Sequence, residues 1–204
     1  MDNLGNEELG LDTTVARSES LLAGEALAAA VHERWAVKTG SDPGAHSIDA
    51  QKVTPTTIAA LRSVPVPADI RHARNPDGGV ETTVWAIDAT LVGYKLEGDQ
   101  DYHLVLADAS NQTMIAEIPD PTAVDASSPF LAKITAARKG FSDRFHVQIA
   151  ALAELVVGNE TPMIVGTSIP VHVEGIGFFD FVHGQTGVAP NGVELHPVLS
   201  ITFP

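Results

Sequence analysis

From Val80 onward, apolar residues recur at every second position, the pattern of strands with one buried face. In ETTVWAIDATLVGYKLE, Trp85, Ile87, Ala89 and Leu91 share one face, and Ala86, Asp88 and Thr90 share the other. The alternation slips at Gly93, and a glycine inside a long strand marks a bulge or a bend. A turn at Gly98-Asp99-Gln100 leads to a second strand, Tyr102–Ala107. The polar turn Asp108–Gln112 leads to a third, Thr113–Ile118, which Pro119 and Pro121 end. A helix is predicted next, capped by Ser127 or Ser128, with Pro129 near its first position and Gly140 just past its end. His146–Val157 reads equally well as helix or strand. A fourth strand, Ile169–Gly175, extends towards Phe179, and the glycine-rich loop 182–192 joins it to a last strand, Val193–Phe203. The expected fold is therefore mainly β with flanking helices, an OB-fold-like Greek-key barrel in the order β-β-β-α-β-β over residues 80–204. An immunoglobulin-like sandwich needs about seven short strands and lacks such a helix. A parallel α/β fold needs a helix after nearly every strand.

Residues 1–79 read as an N-terminal extension of irregular arm and helices, a packing or assembly element. Positions 1–17 form the arm. A helix starts near Ser18 or Ser20 and carries the stripe Leu21, Ala28, Val31 and Trp35, widened by Leu27 and broken by Gly24. Residues 39–53 are a connector. Thr54 is placed as a cap and Pro55 as the first residue of a short helix ending at Arg62, and a second connector runs to residue 79. The amphipathic stripe needs a surface to cover it, and the chain's own barrel and a neighbouring subunit are the two candidates.

Charge narrows the partners. The net charge is −14, and residues 81–204 carry fifteen acidic and five basic side chains. Nucleic-acid affinity rests on Lys and Arg at phosphates, so nucleic acid is disfavoured as the partner. No stretch approaches the roughly 20 apolar residues of a membrane helix, and the acidic start MDNLGNEELGLD lacks the basic region of a signal peptide. With no cysteine, disulfides and thiolate chemistry are excluded.

Two segments carry a resemblance. DYHLVLADASNQTMIAEIP and GFFDFVHGQTGVAPNGVELHPVLSITF are similar to a group of uncharacterised bacterial proteins with a DYHLVL hairpin and an ending close to GFFDF-HGQTG-APNG-ELHPV. The similarity covers most of residues 31–204. It implies an OB-like barrel, and it brings no activity and no catalytic residue. Such proteins are often exported, which the acidic start does not support.

Three sets of residues invite chemistry. His172 and Glu174 alternate with Val171 and Val173, and Glu194 and His196 alternate with Val193 and Leu195. In an OB barrel the last two strands are neighbours, so these four could share one outer patch able to hold zinc or another divalent ion. The plainer reading, and the one expected, is an exposed face with cross-strand ion pairs. Loop 182–192 offers a small polar site with Asp180, His183, Gln185, Thr186 and Asn191, against which stands an ordered loop satisfying its own backbone. Glu97, Asp99 and Asp101 could take Ca²⁺, but an acidic solvated turn is the expected reading. No cofactor follows from any motif; a divalent metal, Zn²⁺ or Ca²⁺, is the one these residue types would accept. Neither a nucleophile elbow nor a phosphate-binding glycine loop occurs.

The expected function is a non-enzymatic binding or assembly module that self-associates through its N-terminal arm and helix, as a subunit of a homo-oligomer or filament. The alternatives are a metal-binding protein or metal-assisted hydrolase using His172, Glu174, His183, Glu194 and His196, and an OB module binding oligosaccharide or single-stranded nucleic acid.

Overall fold

The computed structural model describes residues 34–71, 73–153 and 162–204. The arm at 1–17 and the helix expected from Ser18 or Ser20, with Leu21, Leu27, Ala28 and Val31, lie outside the described residues. Residues Arg34–Pro204 form one compact unit.

The fold is mainly β. Six strands, β1 (Val53–Pro55), β2 (Val84–Leu96), β3 (Tyr102–Ala107), β4 (Thr113–Ile118), β5 (Ile164–Phe179) and β6 (Val193–Thr202), make one sheet in the order β1-β2-β3-β4-β6-β5. β2 also pairs with β5. The β1–β2 and β4–β6 pairings are parallel and the rest antiparallel. Among the described residues three α-helices accompany the sheet: α1 (Trp35–Lys38), α2 (Ile58–Arg62) and α3 (Leu131–Ala153), with 3₁₀ turns at Pro43–Ser47 and Asp77–Thr82. Among the described residues no helix is long and apolar enough to cross a membrane.

The slip in β2 falls where the sequence places it. Its register shifts between Leu91 and Gly93 against both β3 and β5. A Cβ at Gly93 would lie 2.9 Å from the Ile164 carbonyl oxygen, closer than a side chain tolerates. Trp85 and Ala89 pack against the core that Ile87 and Leu91 enter, as the alternation predicts.

Three element boundaries differ from expectation. α3 runs from Leu131 to Ala153 with a kink at Phe145 (φ −120°, ψ 18°), so Gly140 lies inside it rather than beyond its end, and 146–153 is helix. The reason is the stripe Phe130, Ile134, Ala137, Phe141, Phe145, which continues at helical spacing past the glycine and is buried throughout. Phe141 stacks edge-on to Tyr94 at 5.3 Å and lies 4.9 Å from Tyr102; Phe145 lies 4.9 Å from Tyr94 and 5.5 Å from Phe203. Each such pair adds about 0.5–1.5 kcal/mol, which offsets the ~1 kcal/mol cost of a helical glycine. Pro55 ends β1 instead of starting a helix. Thr57 caps α2, its hydroxyl accepting from the Ala60 N–H at 3.1 Å. β5 begins at Ile164, five residues early, because Ile164 and Val165 find partners in Tyr94 and Gly93 beyond the bend.

Strands β3, β4 and β6 are buried on both faces. Tyr102, Leu104, Leu106, Met114, Ala116, Ile118, Val193 and Leu195 enter the main core. On the opposite face His103, Val105, Ile115, Glu117, Glu194 and His196 are equally sealed.

Phe141→Ala is expected to lower stability by about 3–5 kcal/mol, because it removes the ring that Tyr94, Tyr102 and Phe145 share. Urea denaturation measures this; a loss below 1 kcal/mol would show that α3 beyond Gly140 does not hold the sheet.

Candidate buried carboxylate–imidazole site

Register assembles the site. His103 on β3 lies directly opposite Glu117 on β4, and Ile115 lies beside Glu194 in the parallel β4–β6 pairing. Two residues further along both strands, that pairing brings Glu117 to His196. Side chains two apart on a strand point the same way, so one strip of sheet collects His103, Glu117, Glu194 and His196. Asp101, just before β3, closes it.

The contacts are short. His103 Nδ1 lies 3.1 Å from Glu117 Oε1 and its Nε2 lies 2.9 Å from the Thr186 carbonyl oxygen. Both ring nitrogens therefore face acceptors. Burial lowers the ring's affinity for a proton, but Glu117 and Glu97 outweigh this and raise it. His196 Nδ1 lies 3.0 Å from Glu117 Oε2 and 3.2 Å from Glu194 Oε1, and Nε2 lies 3.4 Å from Asp101 Oδ2. Burial opposes charge on His196 too, and Asp101, Glu117 and Glu194 drive its pKa well upward. Burial and the neighbouring Glu117 push Glu97 and Glu194 each up to about 7. Burial would also raise Glu117, yet its bonds to His103 and His196 hold it well below the usual carboxylate range. Lys38 of α1 pairs with Asp180 at 3.2 Å; burial disfavours its charge, but Glu117, Glu194 and Asp180 keep it firmly ionised.

Two atoms stand out. Asp101 Oδ2 and His196 Nε2 are buried, face each other at 3.4 Å, and among the described residues have no hydrogen-bond partner. An unsatisfied buried polar group costs about 1–3 kcal/mol. Two nearby ionic networks lack such gaps. Arg34 grips Glu81 at 2.9 and 2.6 Å, and Glu81 also accepts from the Phe179 and Asn75 N–H groups. Arg74 grips Asp42 at 2.6 Å and donates to the Val37 and Glu81 carbonyls. Fully bonded networks of this kind hold segments 34–48 and 73–82 together.

The residues singled out from sequence divide. His172 and Glu174 sit in register with Thr202 and Ser200, whereas Glu194 faces Phe178. Glu194 is six positions along β6 from Ser200, roughly 20 Å at strand rise, so the four-residue outer patch is not assembled. His172 lies 2.7 Å from Asp88 on β2 and 3.7 Å from Glu174, a half-exposed ion pair of the plain kind. Glu194 and His196 instead are buried at 2 % and 0 % exposure, contrary to the exposed face expected.

Loop 182–192 mostly serves its own backbone. Gln185 donates to the Phe181 carbonyl and accepts from the His183 N–H; Asn191 donates to the Leu61 and Val64 carbonyls. Asp180 is spent on Lys38 and the Phe181 N–H, His183 is exposed, and Thr186 contributes its carbonyl to His103. At Gly187, φ 88°, a Cβ would lie 2.5 Å from Val105 Cγ1, so the glycine lets the loop lie flat on β3. Nor is the first hairpin a solvated acidic turn. Asp101 is fully buried, and Glu97 lies 3.4 Å from His103 and 3.0 Å from Lys95.

Sequence reading missed Glu117 and His103. The signal was available: YHLVLA and TMIAEI are apolar on both faces, the mark of strands covered on both sides, so a charge among them must be buried and partnered. Among the described residues two groups offer ligand atoms within 4.8 Å of one another: Glu97, His103 and Glu117, and Asp101, Glu117 and His196.

Glu81→Gln is expected to cost about 3–5 kcal/mol, since it leaves the Arg34 guanidinium buried without its counter-charge. Chemical denaturation measures it, and a cost under 1 kcal/mol would mean that Arg34 finds solvent.

No family model matches the chain, and no curated protein matches it. A solved structure assigned as an aspartyl-tRNA synthetase from Leishmania major Friedlin aligns over 77% of this chain and 22% of that one, at 15% identity and a TM-score of 0.38, a likeness too low to carry fold or function.

Proposed function

We propose that this chain is a non-enzymatic binding or assembly module built on an OB-fold-type barrel. The order of three strands, a helix and two strands supports the barrel, as do the bend at Gly93, the parallel β4–β6 pairing and the pairing of β2 with both β3 and β5. The resemblance of its ending to the bacterial GFFDF-HGQTG-APNG-ELHPV group fits the same reading.

One observation carries the non-enzymatic part. The densest set of ionisable groups is sealed: Asp101, His103 and His196 are at most 1 % exposed. A hydrolase needs its acid, base or metal in reach of a substrate, and these groups have solid protein on every side. The strand face and loop that OB folds use for oligonucleotides and oligosaccharides are here taken by the chain itself, with Thr186 and Gly187 seated on His103 and Val105.

For assembly, two features contribute. In the sequence, Leu21, Ala28, Val31 and Trp35 recur at helical spacing, with Leu27 beside them, a pattern that asks for a covering surface. In addition, Ile164, Val165 and Ile169–Val171 of β5 pair with β2 along one edge, with residues 166–168 at the register shift, while β6 takes up pairing only from His172. Among the described residues no strand covers the other edge of Ile164–Val171, and Val165 there is 71 % exposed. A bare strand edge accepts a strand from another chain.

Light scattering over a range of concentrations tests this. A mass above one chain is expected, and removal of residues 1–30 or Val165→Lys is expected to weaken association about tenfold or more. A single-chain mass at all concentrations removes the assembly reading.

A further inference from the structure

We propose that Asp101, Glu117 and His196 form a binding site for one divalent transition-metal ion of the zinc class. The proposal goes beyond the function above and stands independently of whether the chain self-associates.

It begins from the two orphaned atoms. Asp101 Oδ2 and His196 Nε2 belong to fully buried residues, face each other at 3.4 Å, and have no hydrogen-bond partner. The other nitrogen of His196 decides what Nε2 can be. Nδ1 points at Glu117 Oε2 and Glu194 Oε1, and ionised carboxylates only accept, so Nδ1 carries a hydrogen. Nε2 is the nitrogen left to face Asp101 Oδ2, and a cation that displaces its proton meets an imidazole lone pair and a carboxylate oxygen there. The spacing suits it: ligand atoms bound at about 2.1 Å around a tetrahedral ion are about 3.4 Å apart.

The surroundings are arranged as a metal site requires. Asp101 Oδ1 is fixed by the Asp120 N–H at 3.0 Å, which leaves Oδ2 as the single free oxygen. Glu117 offers the third ligand atom, the three lying within 4.8 Å of one another, once its Oε2 turns from the Nδ1 hydrogen of His196. Glu194 remains to take the Nδ1 hydrogen of His196, and a carboxylate in that place orients a metal-bound imidazole and strengthens it as a ligand.

The second group, Glu97, His103 and Glu117, has no such vacancy: both nitrogens of His103 are spent, on Glu117 and on the Thr186 carbonyl. An imidazole nitrogen among few ligands favours zinc over calcium, which takes six to eight oxygens. Because the site is sealed, the ion enters as the chain folds and acts on stability, as structural metals do.

The test uses the full chain, freed of metal by a chelator and refolded with Zn²⁺, with Ca²⁺ or with neither. One zinc per chain is expected to survive desalting, with a higher melting temperature than the metal-free protein. Asp101→Asn and His196→Gln are each expected to weaken zinc binding at least a hundredfold, Glu194→Gln about ten- to a hundredfold, and His172→Gln not at all. Should the buried variants fail to fold, anomalous scattering at the zinc edge from the wild-type protein locates the ion directly. Zinc at Asp101 and His196 supports the proposal. Absence of stoichiometric zinc, an ion at His172 and Glu174 instead, or calcium binding as tightly as zinc overturns it.

Discussion

Strands β3, β4 and β6 have no solvent face. Leu104, Met114 and Leu195 fill one side, and His103, Glu117 and His196 are sealed on the other. A strand with one wet face can carry charge there at no cost, but a strand covered twice must partner every charge it holds. That requirement explains the ion pairs behind the sheet, and the loop and α1 that lie over them. Arg34 illustrates it: its guanidinium meets Glu81, the Phe179 carbonyl and the Phe178 ring, 4.6 Å away, in one contact.

Much of the sheet was legible in the sequence because alternation reports directly on which face is apolar. β2, β3 and β4 stand where the pattern puts them, and the slip at Gly93 marks the change of register. What alternation does not report is whether the other face is also covered. A polar residue in an alternating run reads as exposed by default, so Glu194 and His196 were placed on the surface. Register was the second gap. Two His/Glu pairs on neighbouring strands share a patch only if the offset between strands is small, and here Glu174 lies opposite Ser200 rather than Glu194. The end of α3 was misread for a third reason: Gly140 is a stop signal locally, but Phe141 and Phe145 have tertiary partners that no local rule contains.

The site shows how burial and charge trade against each other. Glu117 lies between two imidazoles and stays ionised, while burial and the charge of Glu117 push Glu97 and Glu194 each up to about 7. The same carboxyl group thus behaves as three different ones within a single strip of sheet. Networks such as Arg34–Glu81 close on themselves, and only Asp101 and His196 are left with atoms that nothing in the described protein satisfies.

Asn191 carries a consequence for how the chain is made. Its amide holds the Leu61 and Val64 carbonyls, at 2.9 and 3.1 Å, at the end of the five-residue helix α2. A helix that short does not persist alone in water. During synthesis α2 therefore waits for a side chain added 130 positions later. The β2–β5 and β4–β6 pairings wait as well. Much of the nascent chain stays unfinished until β6 is made, an interval in which the apolar strands β3 and β4 lack the β6 partner and the loop at 182–192 that help to seal them.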